Sequence, residues 1–232
     1  MQEYTAKINK IQNNILEFID NDQSSDEKFD YQDIILDVKI FHENRNEVKF
    51  ILQFLTEVSN NHHRSKNFFT KIEQILNYFK DDIKTKFSPL DIYSIFKSNK
   101  RTLLYLIEEK ILVIDQIILT EMLNEKNSTS KYFTPEIQQF VKEKSLVNAS
   151  LKKLNKKIAD KILNTLPENF YANRKIGEND NYLCTLIQND SVVDFIKYTS
   201  EINLKLNICI EDSIYETNSF LIDKEPTLIE YA

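Results

Sequence analysis

Apolar residues recur at every third or fourth position along most of this chain, which is the spacing of one face of an α-helix. The first stripe is Tyr4, Ile8, Ile11, Ile15 and Ile19, and the polar residues 21–28 end it. Further stripes are Tyr31, Ile34, Ile35, Val38 and Phe41; Val48, Ile51, Leu52, Leu55 and Val58; and Phe68, Phe69, Ile72, Ile75, Leu76 and Phe79. Each stripe covers one face only, so residues 1–100 predict antiparallel helices joined by short connectors.

A helix start is encoded at Ser88-Pro89, because Ser88 suits the N-cap, Pro89 suits the first helical position and Asp91 completes a capping box. The helix that follows carries Ile92, Ile95 and Phe96 on its apolar face. A polar break at residues 98–100 then separates it from a second short helix with Leu103, Leu104, Leu106 and Ile107. The pattern predicts a hairpin of two short helices.

A more polar region follows this hairpin. Residues 124–131, NEKNSTSK, form the best linker candidate, and Thr134-Pro135 restarts helix. A stripe of Leu151, Leu154, Ile158, Ile162 and Leu166 then predicts a helix that runs to a stop at Pro167.

The hairpin pattern returns near the carboxyl end. Its first stripe is Tyr182, Leu183, Leu186 and Ile187, and its second, after a polar break at residues 188–191, is Val193, Phe195, Ile196 and Tyr198. Helices this short cannot bury their own apolar faces, so a repeated pair is typical of a stacked array. The periodicity therefore predicts an all-α chain of antiparallel helix pairs stacked as an α-solenoid.

Composition removes several classes of protein. The chain has one glycine, Gly177, so it cannot form the glycine-rich loops that hold phosphates and dinucleotides. Cys184 and Cys209, its two cysteines, make neither a disulfide framework nor a CxxC pair. The amino terminus lacks the apolar block of a secretory signal, and no apolar run approaches the roughly 20 residues that span a bilayer. We therefore expect an intracellular, cytoplasmic protein without a membrane span. A nuclear location is also compatible with these features.

Charge is unevenly distributed along the chain. Residues 1–43 carry 4 Lys and 10 acids, net −6, and residues 178–232 carry 3 Lys and 11 acids, net −8. Since the whole chain is −6, the middle holds +8. The distribution favours either docking of the parts on one another or an acidic partner at the centre; solvated faces of uneven composition are the plainer explanation.

Three groups of residues invite a chemical interpretation, and each has a structural alternative. The residue types of His62-His63-Arg64 are those of metal ligands or a catalytic base. The side chains of adjacent residues on a helix point in different directions, however, so a loop or helix-capping role is favoured. Cys184 lies on an apolar helix side and is predicted to be a buried structural thiol rather than a nucleophile. Asp81-Asp82 are neighbours that do not converge, so we expect them to solvate a helix end. We expect no metal, cofactor, catalytic residue or small-molecule substrate.

Two features have potential roles in recognition or geometry. Candidate partner contacts are Lys152, Lys153, Lys156, Lys157 and Lys161, which lie largely opposite an apolar stripe. Basic amphipathic helices bind phosphate backbones, anionic lipid or acidic partners. The solvated outer face of a solenoid helix is the favoured interpretation, because the chain is acidic overall and lacks Arg and interleaved aromatics there. Gly177 is predicted to adopt a positive φ and act as a structural hinge that sets the angle between two helical layers; a loop glycine retained by chance is the alternative.

Five stretches carry a resemblance to a known family. They are SNNHHRSKNFF (59–69), IFKSNKRTLLYLIEEK (95–110), LPENFYANRKIGENDNY (166–182), SIYETNSFL (213–221) and TLIEYA (227–232). Together they resemble the amino-terminal region of the trichomonad ankyrin-repeat proteins, over nearly the whole chain. TLIEYA is similar to the TPLHxAA opening of a regular ankyrin repeat, with Leu228 where Pro is usual and Glu230 where His is usual.

The resemblance implies a helical region that leads into ankyrin repeats, no assigned enzymatic activity and binding to other proteins. With it, we expect a helical hairpin array over residues 1–123, a linker and basic helix region over 124–166, and degenerate ankyrin-like repeats over 167–232, truncated at the carboxyl end, with further ankyrin repeats after Ala232. The predicted function is a non-catalytic scaffold. The alternative is nucleic-acid or anionic-surface binding through the basic helix, which the acidic net charge disfavours.

Overall fold

The computed structural model describes residues 2–20, 44–61, 67–125, 127–144, 158–224 and 226–231. Over these ranges the secondary structure is helical without a strand, apart from one isolated antiparallel bridge between Cys209 and Thr227. The prediction of an all-α chain is confirmed. The residues pack as two units, one of Met1–Ser98 with Tyr105–Val113 and the other of Asn99–Leu104 with Ile114–Ala232. The predicted three segments stay predictions, because packing into units does not locate repeat boundaries.

The first unit is built from the stripes that the periodicity identified. Its helices are α1 (Gln2–Asp20), α2 (Arg45–Asn61), α3 (Phe68–Tyr78), α4 (Lys80–Lys86) and α5 (Pro89–Phe96). Ile15, Leu52 and Ile72, from three of these stripes, are completely buried. Helix α1 packs on α3, and α2 packs on α3, α4 and α5. The stripe predicted between Tyr31 and Phe41 lies outside the described residues.

The predicted capping box opens α5. The Asp91 backbone N–H donates to Ser88 Oγ over 3.2 Å, and the Ser88 backbone N–H donates to Asp91 Oδ2 over 3.0 Å. These bonds from Ser88 to the carboxylate lower the pKa of Asp91. Helix α6 (Lys100–Glu108) follows after a short turn, so the two predicted short helices and the break between them are present.

Helix α7 (Gln116–Asn124) begins the continuous part of the second unit and is capped by Asp115, whose Oδ1 accepts from the backbone N–H groups of Ile117 and Ile118. The helices that follow are α8 (Asn127–Tyr132), α9 (Thr134–Lys144), α10 (Phe170–Ile176), α11 (Tyr182–Gln188), α12 (Val192–Glu201), α13 (Ser219–Lys224) and α14 (Leu228–Tyr231), and residues 158–161 are also helical. Helices α11 and α12 form the predicted second hairpin, and α14 packs on α11.

The linker predicted at residues 124–131 is wrong for most of its length, because α8 occupies it. Thr129 and Ser130 are buried, and Phe133 just beyond them is completely buried. The Ser130 hydroxyl donates to the Lys161 carbonyl over 3.0 Å. Short polar side chains that hydrogen-bond inside the fold imitate the composition of a linker, which is why the sequence misleads here.

The helix predicted to run to Pro167 ends earlier. Its described part stops at Lys161, because the backbone N–H of Leu163 donates to Thr134 Oγ1 over 3.0 Å instead of continuing the helix. The hydroxyls of Ser130 and Thr134 thus satisfy backbone groups that a helix end leaves open. Periodicity alone does not show such competition from side chains distant in sequence.

Candidate functional site

Three of the sequence stretches that carry the family resemblance meet inside the second unit. They contribute buried residues, which are Lys100, Arg101, Arg174, Gly177, Asn179, Glu216 and Thr217. We call these residues the buried polar cluster. Their contacts join positions up to 114 residues apart, so no local pattern in the sequence predicts them.

Gly177 lies at the centre of the buried polar cluster. It ends α10 in the left-handed conformation, with φ 74° and ψ 25°, as the sequence predicts. Its carbonyl accepts from the Thr217 hydroxyl over 2.7 Å and from the Thr217 backbone N–H over 3.2 Å. A Cβ atom at this position would lie 3.2 Å from Arg101 Cβ, a contact that is tighter than usual and requires a small shift of Arg101. The proposed hinge role of Gly177 stays a prediction.

Glu216 holds the loop around Gly177 together. Its carboxylate accepts from the backbone N–H groups of Asn179, Thr217 and Asn218 over 3.1, 2.8 and 2.7 Å. The side chain is buried, and several backbone donors stabilise its charge there. Glu216 therefore acts as a structural anchor and offers no free carboxylate for chemistry.

Arg174 ties α10 to α8 and α9. Its guanidinium donates to both oxygens of Glu136, over 2.7 and 3.0 Å, and to the Tyr132 carbonyl over 3.1 Å. The Tyr132 hydroxyl donates back to the Arg174 carbonyl over 2.8 Å. The ion pair is bidentate, and its arginine is 2% exposed; sequence spacing did not reveal it.

Two cations at the start of α6 complete the buried polar cluster. Lys100 Nζ donates to the Ile214 carbonyl over 2.8 Å, and Arg101 Nε donates to the Lys175 carbonyl over 2.7 Å. Both side chains are buried. The second contact places a positive charge at the carboxyl end of α10, where the helix dipole favours it. The cluster thus fixes the loops beside α10, and its hydrogen bonds serve structure rather than catalysis.

Cys184 is completely buried on α11, as predicted for a structural thiol. Burial raises its pKa to about 11, with nearby Glu216 and Asp180 acting in the same direction. The group is therefore a neutral thiol at physiological pH, which is not the state of a nucleophile. Cys209 is exposed.

The remaining predicted site residues divide between described and undescribed parts of the chain. Asp82 pairs with Lys86 over 2.6 Å within α4, in agreement with a role at a helix end. His62, His63 and Arg64 lie outside the described residues, as do Lys152, Lys153, Lys156 and Lys157. Lys161 is described and half-exposed. In the described ranges no group of three or more His, Cys, Asp or Glu is arranged to hold a metal ion.

An apolar stripe on α12 is exposed to solvent. Val192, Val193 and Ile196 are 55%, 80% and 58% exposed, and α12 has no buried residue. We call these three residues the exposed stripe. Other large apolar side chains of the second unit are exposed as well: Ile117, Tyr171, Ile176, Tyr182, Ile202, Leu206, Ile208 and Ile229.

The exposed stripe contrasts with the other helix of its own hairpin. Helix α11 buries Cys184 and Leu186, and α14, with Leu228 buried, packs against it. One helix of the hairpin is therefore covered and the other is not. The sequence identified Val193 and Ile196 as apolar hairpin positions, but an apolar pattern does not say whether a covering element is present.

No protein-family model, curated protein or solved structure matches this chain. None of the described helices combines the length and apolar character that crossing a membrane requires. The candidate site is therefore defined by geometry alone: the α11–α12 hairpin, with the exposed stripe on α12.

Proposed function

We propose that this chain is a non-catalytic scaffold for protein–protein interaction, built as stacked helix pairs and ending in ankyrin-like repeats. The exposed stripe of α12 is the observation that carries the proposal. Apolar patches that are fixed in place and open to solvent are characteristic of surfaces that another protein covers. The proposed partners are other proteins.

Burial of the exposed stripe by a partner would contribute substantially to the free energy of binding. Complete burial of one Val or Ile side chain stabilises a complex by about 1.5–3 kcal/mol. Val193 is 80% exposed, so most of its surface is still available for burial. A partner helix that covers Val192, Val193 and Ile196 together would therefore gain several such contributions, less the cost of association.

The ankyrin-like part of the proposal is supported by the order of elements. The α11–α12 hairpin is followed by an irregular segment, by α13 and by α14, and Cys209 before α13 bridges to Thr227 after it. That helix, α14, opens with a capping box: the Thr227 backbone N–H donates to Glu230 Oε2 over 2.8 Å, and the Glu230 backbone N–H donates to Thr227 Oγ1 over 3.4 Å. Glu230 thus caps the start of this helix, although the Pro and His of the usual ankyrin opening TPLHxAA are absent at positions 228 and 230.

Photocrosslinking tests the proposal directly. A photoreactive residue is placed at Val193 and, as a matched control, at Val113, which is 64% exposed in the first unit. After irradiation in cells that make the protein, we expect discrete protein adducts from position 193 and few from position 113. Adding Ile196→Glu should remove the adducts without unfolding the chain, because the side chain is exposed. Equal adducts at both positions, or none at 193, would contradict a scaffold role for this surface.

A further inference from the structure

A cavity of about 480 Å³ lies within the second unit, apart from the exposed stripe. Its walls come from α8, the segment 210–214, α13 and Tyr231 of α14. The volume falls within the range of about 300–1,000 Å³ that is usual for ligand sites. None of the residues that line it belongs to the exposed stripe, so it requires a separate explanation.

One part of the cavity wall is aliphatic. Ile210, Ile214, Leu221 and Ile222 line it and are half-buried, and Pro226 is buried beside them. These side chains form an apolar surface that is fixed by the fold and still reachable from solvent. An unbranched alkyl chain lying on them would lose part of its contact with water.

Another part of the wall is acidic. Glu211 and Asp212 line the same cavity and are exposed, and within the described part of the chain neither carboxylate has a hydrogen-bond or ion-pair partner. Glu216 also lines the cavity, but its oxygens are occupied by backbone N–H groups. Lys131 is the one cation among the described lining residues. The cavity therefore combines aliphatic walls with two carboxylates that are free to meet a positive charge.

We propose that this cavity binds a lysine or arginine side chain presented by a basic segment of a partner protein. The alkyl stem of that side chain lies on Ile210, Ile214 and the leucine–isoleucine pair of α13, and its charged head meets Glu211 and Asp212. Long basic side chains commonly bury their stem while their head keeps polar contacts. The net charge of −8 over residues 178–232 attracts such a segment toward this end of the chain.

Lys131 gives the proposal an internal check. Lys131 lines the cavity, so its positive charge repels an incoming cation. Replacing it by glutamine should therefore strengthen binding of a basic probe, whereas a site that accepts only apolar groups would not respond to this change. Loss of Glu211 and Asp212 should have the opposite effect.

The test is a titration of the full chain, followed by methyl NMR, with the peptide Ac-Gly-Lys-Lys-Gly-amide. Norleucine replaces lysine in the neutral control peptide, and spermidine represents a free polyamine. We expect the lysine peptide to shift the Ile210 and Ile214 methyl signals. The double change Glu211→Gln with Asp212→Asn should weaken binding of this peptide about tenfold, because charge-assisted contacts contribute most of the affinity. The change Lys131→Gln should strengthen binding of the same peptide. Asp194→Asn with Glu201→Gln, exposed acids of α12, is the matched control and should change little.

Equal binding of the norleucine peptide, or no methyl shift at millimolar lysine peptide, would overturn the proposal. Spermidine binding more tightly than the lysine peptide would overturn the assignment to a protein side chain. The double change Val193→Glu with Ile196→Glu alters the exposed stripe but not the cavity, so it should leave binding of the lysine peptide intact. The scaffold proposal and the cavity proposal can therefore fail independently.

Discussion

The two helical hairpins of this chain have similar apolar patterns and different burial. In the α5–α6 hairpin, Phe96, Leu103 and Leu104 are completely buried. In the α11–α12 hairpin, burial is confined to α11, and Val193 is 80% exposed. Periodicity thus specifies where helices form, whereas the neighbours that a helix acquires decide whether its apolar face becomes core.

The largest expected effect tests this contrast at one position in each hairpin. Phe96→Ala removes a completely buried ring and should lower the free energy of unfolding by about 3–5 kcal/mol. Ile196→Ala, at an exposed position of α12, should change it by no more than about 0.5 kcal/mol. Chemical denaturation of the purified chain measures both. A cost above about 2 kcal/mol for Ile196→Ala would show that the exposed stripe is already covered.

The second prediction concerns the ion pair that ties α10 to α8 and α9. Glu136→Ala leaves Arg174 buried without its carboxylate, and we expect a loss of about 2–3 kcal/mol. The value lies below that of a fully buried pair because the Glu136 side chain is 17% exposed. Glu143→Ala, at an exposed position of the same helix, is the control and should cost little. Similar urea midpoints for the two variants would argue against a structural role for the pair.

The third prediction concerns Gly177. Gly177→Val should destabilise the chain by about 1–3 kcal/mol, because valine resists a positive φ and its Cβ meets Arg101 and Thr217. Gly177→Asn should cost less, since Asn tolerates the left-handed region, although its Cβ meets the same crowding. Thermal unfolding compares the variants. An unchanged melting temperature for Gly177→Val would show that position 177 does not require a residue that tolerates a positive φ.

The smallest effect comes from Cys184. Its thiol has an ordinary pKa of 9.0 and a folded-state pKa of about 11. Between these values the unfolded chain binds fewer protons at this thiol than the native chain, so stability falls as pH rises from 9 to 11 and is unaffected below that range. Cys184→Ala should flatten this part of the stability curve, while Cys209→Ala should not. A curve unaltered by Cys184→Ala would contradict the raised pKa.

Much of the helical structure could be predicted from the sequence, because it depends on local chemistry. The capping box of Ser88 and Asp91, the positive φ of Gly177 and the burial of Cys184 all follow from residue type and immediate neighbours. The α5–α6 and α11–α12 hairpins follow from apolar spacing interrupted by short polar breaks. Each of these is present in the structure.

What sequence reasoning missed depends on contacts between distant residues. Helix α8 reads as a linker because its Thr129 and Ser130 are polar, yet both are buried. The pair of Arg174 with Glu136 joins positions 38 residues apart, and neither has a distinctive neighbourhood. The cavity near Glu211 and the exposure of α12 likewise arise only when elements pack, so no periodicity indicates them.

The most direct test of the central claim is the accessibility of position 193. In a chain with Cys184→Ala and Cys209→Ser, maleimide labelling of Val193→Cys is compared with that of Val113→Cys, in purified protein and in intact cells. We predict rapid labelling of both in purified protein and, in cells, protection of position 193 alone by about tenfold or more, as expected for a surface that a partner buries. Slow labelling at position 193 in purified protein, or equal labelling of both positions in cells, would contradict the account.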